Sequence, residues 1–235
     1  LIPMTRLLNG IVAFGSVLLL AVALIGAGYA AVAIPDAATA TLSRALSGCD
    51  QPNTPFTADE LASMAIAGKH YTFDDNDREK LDAAIAKANA ATEANGRTNA
   101  LSRESAARTL PADAISHLDD VYRVASVAKP ALVIVAVLCI AGLAHVAVRI
   151  SRRALGCTFM AGGGLVLATF CALGAWAAID FDGLFAAFHS LFFQAGTWTF
   201  PYDSLLITLY PTAFWMGMGG IWLAVTCGLS ILAVL

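Results

Sequence analysis

Histidine changes charge closer to neutral pH than any other side chain, so it is the first place to look for acid–base chemistry. The sequence holds four histidines, His70, His117, His145 and His189. Around His117 the residues Ile115, Leu118, Tyr122 and Ala125 form an apolar stripe at helical spacing. Asp113, His117 and Asp120 share another face at i, i+4 and i+7. His189 stands in the stretch 181–202, where eight of 22 residues are aromatic: Phe181, Phe185, Phe188, Phe192, Phe193, Trp198, Phe200 and Tyr202. Two imidazoles brought to one place could serve as general base and general acid. His145 falls near the end of an apolar stretch and is expected to pack there. His70 lies in a polar segment without metal-ligand spacing and reads as a surface histidine.

Other chemistries fit the residues less well. There is no Gly-x-Ser-x-Gly nucleophile elbow and no His-Glu-x-x-His helix. His117 with Asp119 or Asp120 is too sparse for a zinc site, although a metal hydrolase using His117, Asp120 and His189 stays open at this point. The His-x4-Asp acyltransferase pattern fails at both histidines, because Tyr122 and Gln194 occupy the fifth position. Gly162-Gly163-Gly164 lies in an apolar stretch and reads as close helix packing rather than a phosphate loop.

The elements that must carry these residues follow from composition. Of 235 residues, 58% are hydrophobic and 13% charged, against roughly 45–50% and 25% in soluble domains. That excludes a free cytosolic enzyme. A net charge of -3 gives no basic field for nucleic acid. Four stretches lack Asp, Glu, Lys and Arg: Leu7–Ile34, Pro130–Val148, Ala154–Ile179 and Ser204–Leu235. Each approaches or exceeds the ~20 apolar residues that span a bilayer as a helix. The expected fold is an all-α membrane protein with transmembrane helices at 7–34, 128–148, 154–179 and 204–235. A helical extracytoplasmic domain occupies 35–127, and an interfacial helix or loop occupies 180–203.

Orientation comes from the loop 149–153, which contains Arg149, Arg152 and Arg153. The positive-inside rule places it in the cytoplasm, and Arg6 agrees. The segments 35–127 and 180–203, and with them His117 and His189, then face outward, and both termini face inward. The first apolar run is longer than the ~7–15 residues of a signal-peptide core, so Ala31-Val32-Ala33 is read as part of an uncleaved span. Leu46-Ser47-Gly48-Cys49 matches a lipobox, but polar residues separate it from the apolar run. Cys49 is the one cysteine of five outside the apolar stretches, so no disulfide framework is expected.

Within 36–129, Thr57-x-x-Glu60 has the spacing of a capping box and predicts a helix that stops near Gly68. Asp74 or Asp75 is expected to cap a second helix with Leu81, Ile85 and Ala88 on its apolar face, ended by Asn95-Gly96. A third helix opens at Pro111. The aromatic segment predicts a helix over 183–194, lying in the membrane interface and broken at Gly196.

Two motifs resemble those of a known family. Phe188-His189-Ser190-Leu191-Phe192-Phe193-x-x-Gly196-x-Trp198-x-Phe200 resembles the signature loop of the lipoprotein intramolecular transacylases, Lit. So does its continuation, Asp203-x-Leu205-x-Ile207-x-Leu209-Tyr210-Pro211-x-x-Phe214-Trp215. His117-Leu118-Asp119-Asp120-Val121 resembles the family's His-x-x-Asp-Val motif. Dense similarity covers 113–123 and 185–215, and the remainder agrees in layout.

The resemblance implies a reaction. A bacterial lipoprotein carries a thioether-linked diacylglyceryl group on its N-terminal cysteine. The enzyme moves the sn-2 acyl chain onto the cysteine α-amine, giving a lyso-form lipoprotein. It requires no cofactor or external acyl donor, and its partners are diacylated lipoproteins and membrane lipid. His117 and His189 are the implied catalytic pair, in unassigned roles. By residue type and spacing, Asp120 is the candidate to orient His117. Phe193, Trp198, Asp203, Tyr210 and Trp215 are the candidates to shape the substrate pocket. A membrane lipid hydrolase using the same histidines, and a non-enzymatic envelope protein binding a partner, are the competing expectations.

Overall fold

Apolar, charge-free sequence buried in lipid must satisfy its backbone internally, and helices do so within one segment. The structure, a computed structural model, describes residues 4–97, 99 and 105–235, and no strand occurs among them. In chain order the helices are α1 (Met4–Ala33), α2 (Asp36–Leu46), α3 (Ala58–Phe73), α4 (Arg78–Ala94), α5 (Ser105–Arg108) and α6 (Ala112–His145). A π-helical turn, Val146–Ile150, continues α6. Then come α7 (Arg152–Ile179), α8 (Phe181–Ser190), α9 (Leu205–Leu209) and α10 (Thr212–Val234). Four segments among the described residues are long and apolar enough to cross a membrane: Met4–Ala33, Ser105–Ile150, Arg152–Ile179 and Thr212–Val234. The chain is an all-helical, multi-pass membrane protein.

The chain divides into two units. The first comprises 1–31, 127–184 and 221–235. Its helices approach one another at small residues, as spanning helices do where lipid supplies no hydrophobic driving force. A methyl group on Gly162 would lie 2.9 Å from Leu20 Cδ2, and one on Gly163 would lie 2.7 Å from the Ser230 carbonyl oxygen. Two of the three consecutive glycines are therefore packing positions, and Gly164 faces open space. Ser16 and Ser230 return their hydroxyls to the carbonyls of Val12 and Thr226, one turn back. Phe14, Ile11, Val133 and Ile140 are exposed, an arrangement suited to lipid rather than water. His145 Nε2 lies 3.1 Å from Asn9 Oδ1, the packing role expected of it.

The second unit comprises 32–126 and 185–220. Its core joins Leu61, Met64 and Tyr71 of α3, Leu81 and Ile85 of α4, Ile115 and Leu118 of α6, and Leu205, Leu206 and Leu209 of α9. The capping box is formed. Thr57 Oγ1 accepts from the Glu60 N–H, and Glu60 accepts from the Thr57 N–H at 2.8 Å. Glu60 also pairs with Arg97 at 2.6 Å, and the Arg97 hydrogen bond, more than any other effect, holds its carboxyl down at about 2. The start of α3 is thereby tied to Arg97, which follows the turn that ends α4.

Three boundaries differ from expectation. Helix α3 continues through Gly68 to Phe73. Glycine costs a helix only about 1 kcal/mol, and the burial of Tyr71 and Thr72 outweighs it. The cap of α4 is Asp77, whose Oδ1 accepts from the N–H groups of Glu79 and Lys80, rather than Asp74 or Asp75. The last charge-free stretch, expected as one span over 204–235, is interrupted at Tyr210-Pro211. Proline lacks an N–H and fixes φ. It separates α10 from the short α9, whose leucines are buried in the core of the second unit.

Candidate active site

Helix α6 opens with Ile115 and Leu118 anchored in the core, and this anchoring carries His117 to a buried position, 9% exposed. Helix α8 supplies His189 from its last turn. Helix α8 ends at Ser190 rather than at 194. Beyond it the chain tightens, with Leu191 N–H donating to Phe188 O and Phe192 N–H to His189 O, the three-residue pattern of a helix end. Gly196 then takes φ +86°, a left-handed conformation that favours glycine. This turn leads the chain on to Trp198 and Phe200.

The folding of these segments brings the two histidines together. Their ring centroids are 6.2 Å apart and their planes 26° apart. Phe193 stands 4.9 Å from the His117 ring and 5.6 Å from the His189 ring. Phe200 lies 5.6 Å from His117. Trp198 lies 4.7 Å from His189, and Phe185 4.0 Å from it. Trp215 reaches the cluster through Phe185 at 6.0 Å, and Tyr210 stands behind Trp215 at 5.8 Å. Tyr210 Oη donates to Ala65 O at 2.7 Å, and burial pushes its phenol above the usual range. Asp203 is exposed in the turn before α9.

Hydrogen bonding distinguishes the histidines. His189 Nδ1 lies 2.8 Å from the Phe185 carbonyl oxygen. A carbonyl can only accept, so Nδ1 carries the proton and neutral His189 presents Nε2 as a bare acceptor. Burial lowers the His189 pKa below its ordinary value, against a smaller upward pull from that carbonyl. His117 precedes the charge-free stretch of α6 that begins at Pro130. Its pKa is pushed down to about 4, first by burial and then by the neighbouring His189 charge, with Asp120 opposing. Both imidazoles are neutral at pH 7. Buried His117 Nδ1 has no hydrogen-bond partner among the described residues.

The aspartates around His117 are otherwise engaged. Asp120 accepts from Arg123 Nη1 at 2.7 Å, and Asp119 accepts from Tyr71 Oη and, at 3.3 Å, from Asn76 Nδ2. Asp120 therefore acts on His117 through its charge. Among the described residues no three His, Cys, Asp or Glu side chains gather as a metal site. His70 lies apart, flanked by Asp36 and Asp74.

Sequence reasoning passed over two contributors. One is the Phe185 carbonyl. Its signal was the i−4 spacing from His189 on one helix, but a backbone acceptor leaves no trace in residue type. The other is Arg123, whose i+3 spacing from Asp120 was legible.

The arrangement pairs a neutral imidazole that presents a bare Nε2 with a second, buried neutral imidazole among partly buried aromatic rings. It can deprotonate an amine or water and stabilise an oxyanion beside it. The family model described as lipoprotein intramolecular transacylase Lit matches residues 83–215, more than half of the chain. Solved structures similar to this one include the membrane integral lipoprotein intramolecular transacylase Lit from Bacillus cereus. That chain is 16% identical with a TM-score of 0.70, over 96% of this chain and 92% of that one. Two forms of the same bacterial protein, with one histidine replaced by arginine or by alanine, match at a TM-score of 0.65 and 16% identity. They cover 96% of this chain and 88% and 90% of theirs. No curated protein matches.

Proposed function

The chain belongs to the Lit family of lipoprotein intramolecular transacylases, and we propose that it moves the sn-2 acyl chain of a diacylglyceryl-cysteine lipoprotein onto the cysteine α-amine at the outer face of the bacterial cytoplasmic membrane. It is an acyltransferase of a multi-pass membrane type, acting on lipoproteins. The observation that carries the finer reading is the pair of neutral, stacked imidazoles, His117 and His189, within one aromatic enclosure.

In this reading the ammonium form of the α-amine, with a pKa near 8, first loses a proton to solvent. The neutral amine then gives up a second proton to His189 Nε2 as its nitrogen attacks the ester carbonyl carbon. The carbonyl π pair moves to oxygen, where neutral His117 donates a hydrogen bond to the developing negative charge. As the carbonyl re-forms, the bond to the glyceryl oxygen breaks, and His189 returns its proton to that leaving oxygen. Amine and ester belong to one molecule, so proximity supplies much of the rate. Asp120 favours a polarised His117 electrostatically. We assign Phe193, Trp198 and Trp215 to the acyl and glyceryl path, Tyr210 to the support of Trp215, and the exposed carboxylate of Asp203 to the attraction of the ammonium form of the substrate before it is deprotonated. The exposed Phe188, Leu191 and Phe192 suit headgroup depth. Arg149, Arg152 and Arg153 set the orientation.

The test is tandem mass spectrometry of lipoprotein N-termini from a host that makes only diacyl forms, with and without this protein. Acyl transfer is an isomerisation, so the intact mass is unchanged and only fragmentation reveals the N-acyl group. An unmodified α-amine on every lipoprotein, or peptides in which one acyl group has been replaced by hydrogen with release of free fatty acid, overturn the reading. The second of these results makes the protein a hydrolase.

A further inference from the structure

Among the described residues, four buried side-chain nitrogen or oxygen atoms lack a hydrogen-bond partner: Thr92 Oγ1, Thr226 Oγ1, His117 Nδ1 and Trp198 Nε1. The two threonine hydroxyls sit on helices α4 and α10 and can turn toward a carbonyl one turn back. The two nitrogens are fixed in rigid rings. Both rings adjoin His189, at centroid distances of 6.2 and 4.7 Å. An indole N–H is a donor only. Leaving it buried and unpaired is costly, and the position of its ring against His189 points to a ligand acceptor.

We propose that the Trp198 indole N–H is a second oxyanion donor, hydrogen-bonding the carbonyl oxygen of the ester that is transferred. The inference rests on the transacylase reading above. Three structural features carry it: an orphaned rigid donor, its ring against the ring of the base, and a second orphaned nitrogen on the far partner of the same histidine pair. In the ground state the ester oxygen accepts weakly. When the amine nitrogen bonds to the ester carbon, the π pair settles on that oxygen and the hydrogen bond becomes charge-assisted and stronger. When the glyceryl C–O bond breaks, the charge leaves and the bond weakens again. The indole proton stays on nitrogen throughout, and the transferred proton travels only between the amine, His189 and the glyceryl oxygen. A donor that tightens in the transition state raises kcat and leaves KM nearly unchanged.

Two variants test this on the full-length protein in lipid nanodiscs, with a synthetic diacylglyceryl-cysteine peptide as substrate. Trp198→Phe keeps an aromatic ring and removes the donor. Site-specific replacement of Trp198 by benzothienylalanine keeps the bicyclic shape, puts sulfur where N–H stood, and serves even if the phenylalanine variant fails to fold. The expected result for each folded variant is a fall in kcat of roughly 10²-fold, the scale of one lost oxyanion donor, with KM within about twofold. A benzothienylalanine variant with kcat within threefold of the parent overturns the proposal. So does a loss carried mainly by KM. Absence of any transfer by the parent protein is a separate result: it overturns the transacylase reading itself, and this proposal with it.

Discussion

The imidazoles of His117 and His189 stack with centroids 6.2 Å and planes 26° apart, although they come from helices on opposite sides of two membrane-spanning stretches in the sequence. If they serve one reaction centre, their losses do not multiply. His117→Ala and His189→Ala should each lower the rate of transfer by ~10²–10⁴-fold. The double variant should be little slower than the slower single one. His70→Ala and His145→Ala should stay near the parent rate. Multiplying losses in single-turnover assays would separate the two histidines into independent roles.

The pH dependence follows from the directions of the shifts. Burial lowers His189 below its ordinary value and holds His117 at about 4. Both are therefore already neutral, and competent as base and donor, above pH 6.5. The substrate amine, near 8, is then the group that limits the rate at neutral pH. Log kcat/KM should rise with unit slope up to about pH 8, and the slope should steepen only below 6.5, as His189 begins to protonate. A single break between 6.5 and 7, with no rise beyond it, would contradict the assignment.

Burial of His117 also links stability to pH. The unfolded chain binds a proton at this histidine near 6.5, and the folded chain only near 4. The unfolded state therefore holds more protons between those values, and stability falls as pH drops from 6.5 to 4, by at most ~1.4 kcal/mol per pH unit. His117→Phe should flatten that part of the curve in denaturant titrations in detergent. An unchanged slope would mean that His117 is solvated.

Much of this was legible in the sequence. Charge-free runs located the spanning helices, and Thr57 and Glu60 announced their capping box. The pairing of His117 with His189 came from motif resemblance, because no local pattern reports a contact between residues 72 positions apart (189 minus 117). What escaped was set by tertiary burial. Helix α3 runs through Gly68 because Tyr71 and Thr72 are buried beyond it, and α9 leaves the last apolar run because its leucines find the core of the second unit. The tautomer of His189 depends on a backbone carbonyl.

Gly68 offers a test of that packing. A methyl group there would clash with Tyr210 Oη, whose hydroxyl is held by the Ala65 carbonyl. Alanine gains up to about 1 kcal/mol of helix propensity. Displacing Tyr210 from that bond costs about 1–3 kcal/mol, so Gly68→Ala should lower Tm. Adding Tyr210→Phe removes the clashing oxygen and should recover part of the loss. A Gly68→Ala protein more stable than the parent would mean that the tyrosine yields freely.

Orientation is open to direct labelling. In a background without native cysteines, Lys87→Cys should react with an impermeant thiol reagent in intact cells, and Arg153→Cys only after permeabilisation. The reverse pattern would place the histidines on the wrong side for lipoproteins and defeat the positive-inside argument.

The central claim is that acyl transfer occurs within one lipoprotein molecule at this histidine pair. A crossover experiment measures it. Purified protein receives an equal mixture of two diacylglyceryl-cysteine peptides, one unlabelled and one deuterated in both the sn-2 chain and the peptide. Tandem mass spectrometry then reads which acyl chain each α-amine carries. The account predicts that every N-acylated peptide keeps its own label pattern, and that His189→Ala yields almost no product. Scrambled labels, or equal product from His189→Ala, would contradict it.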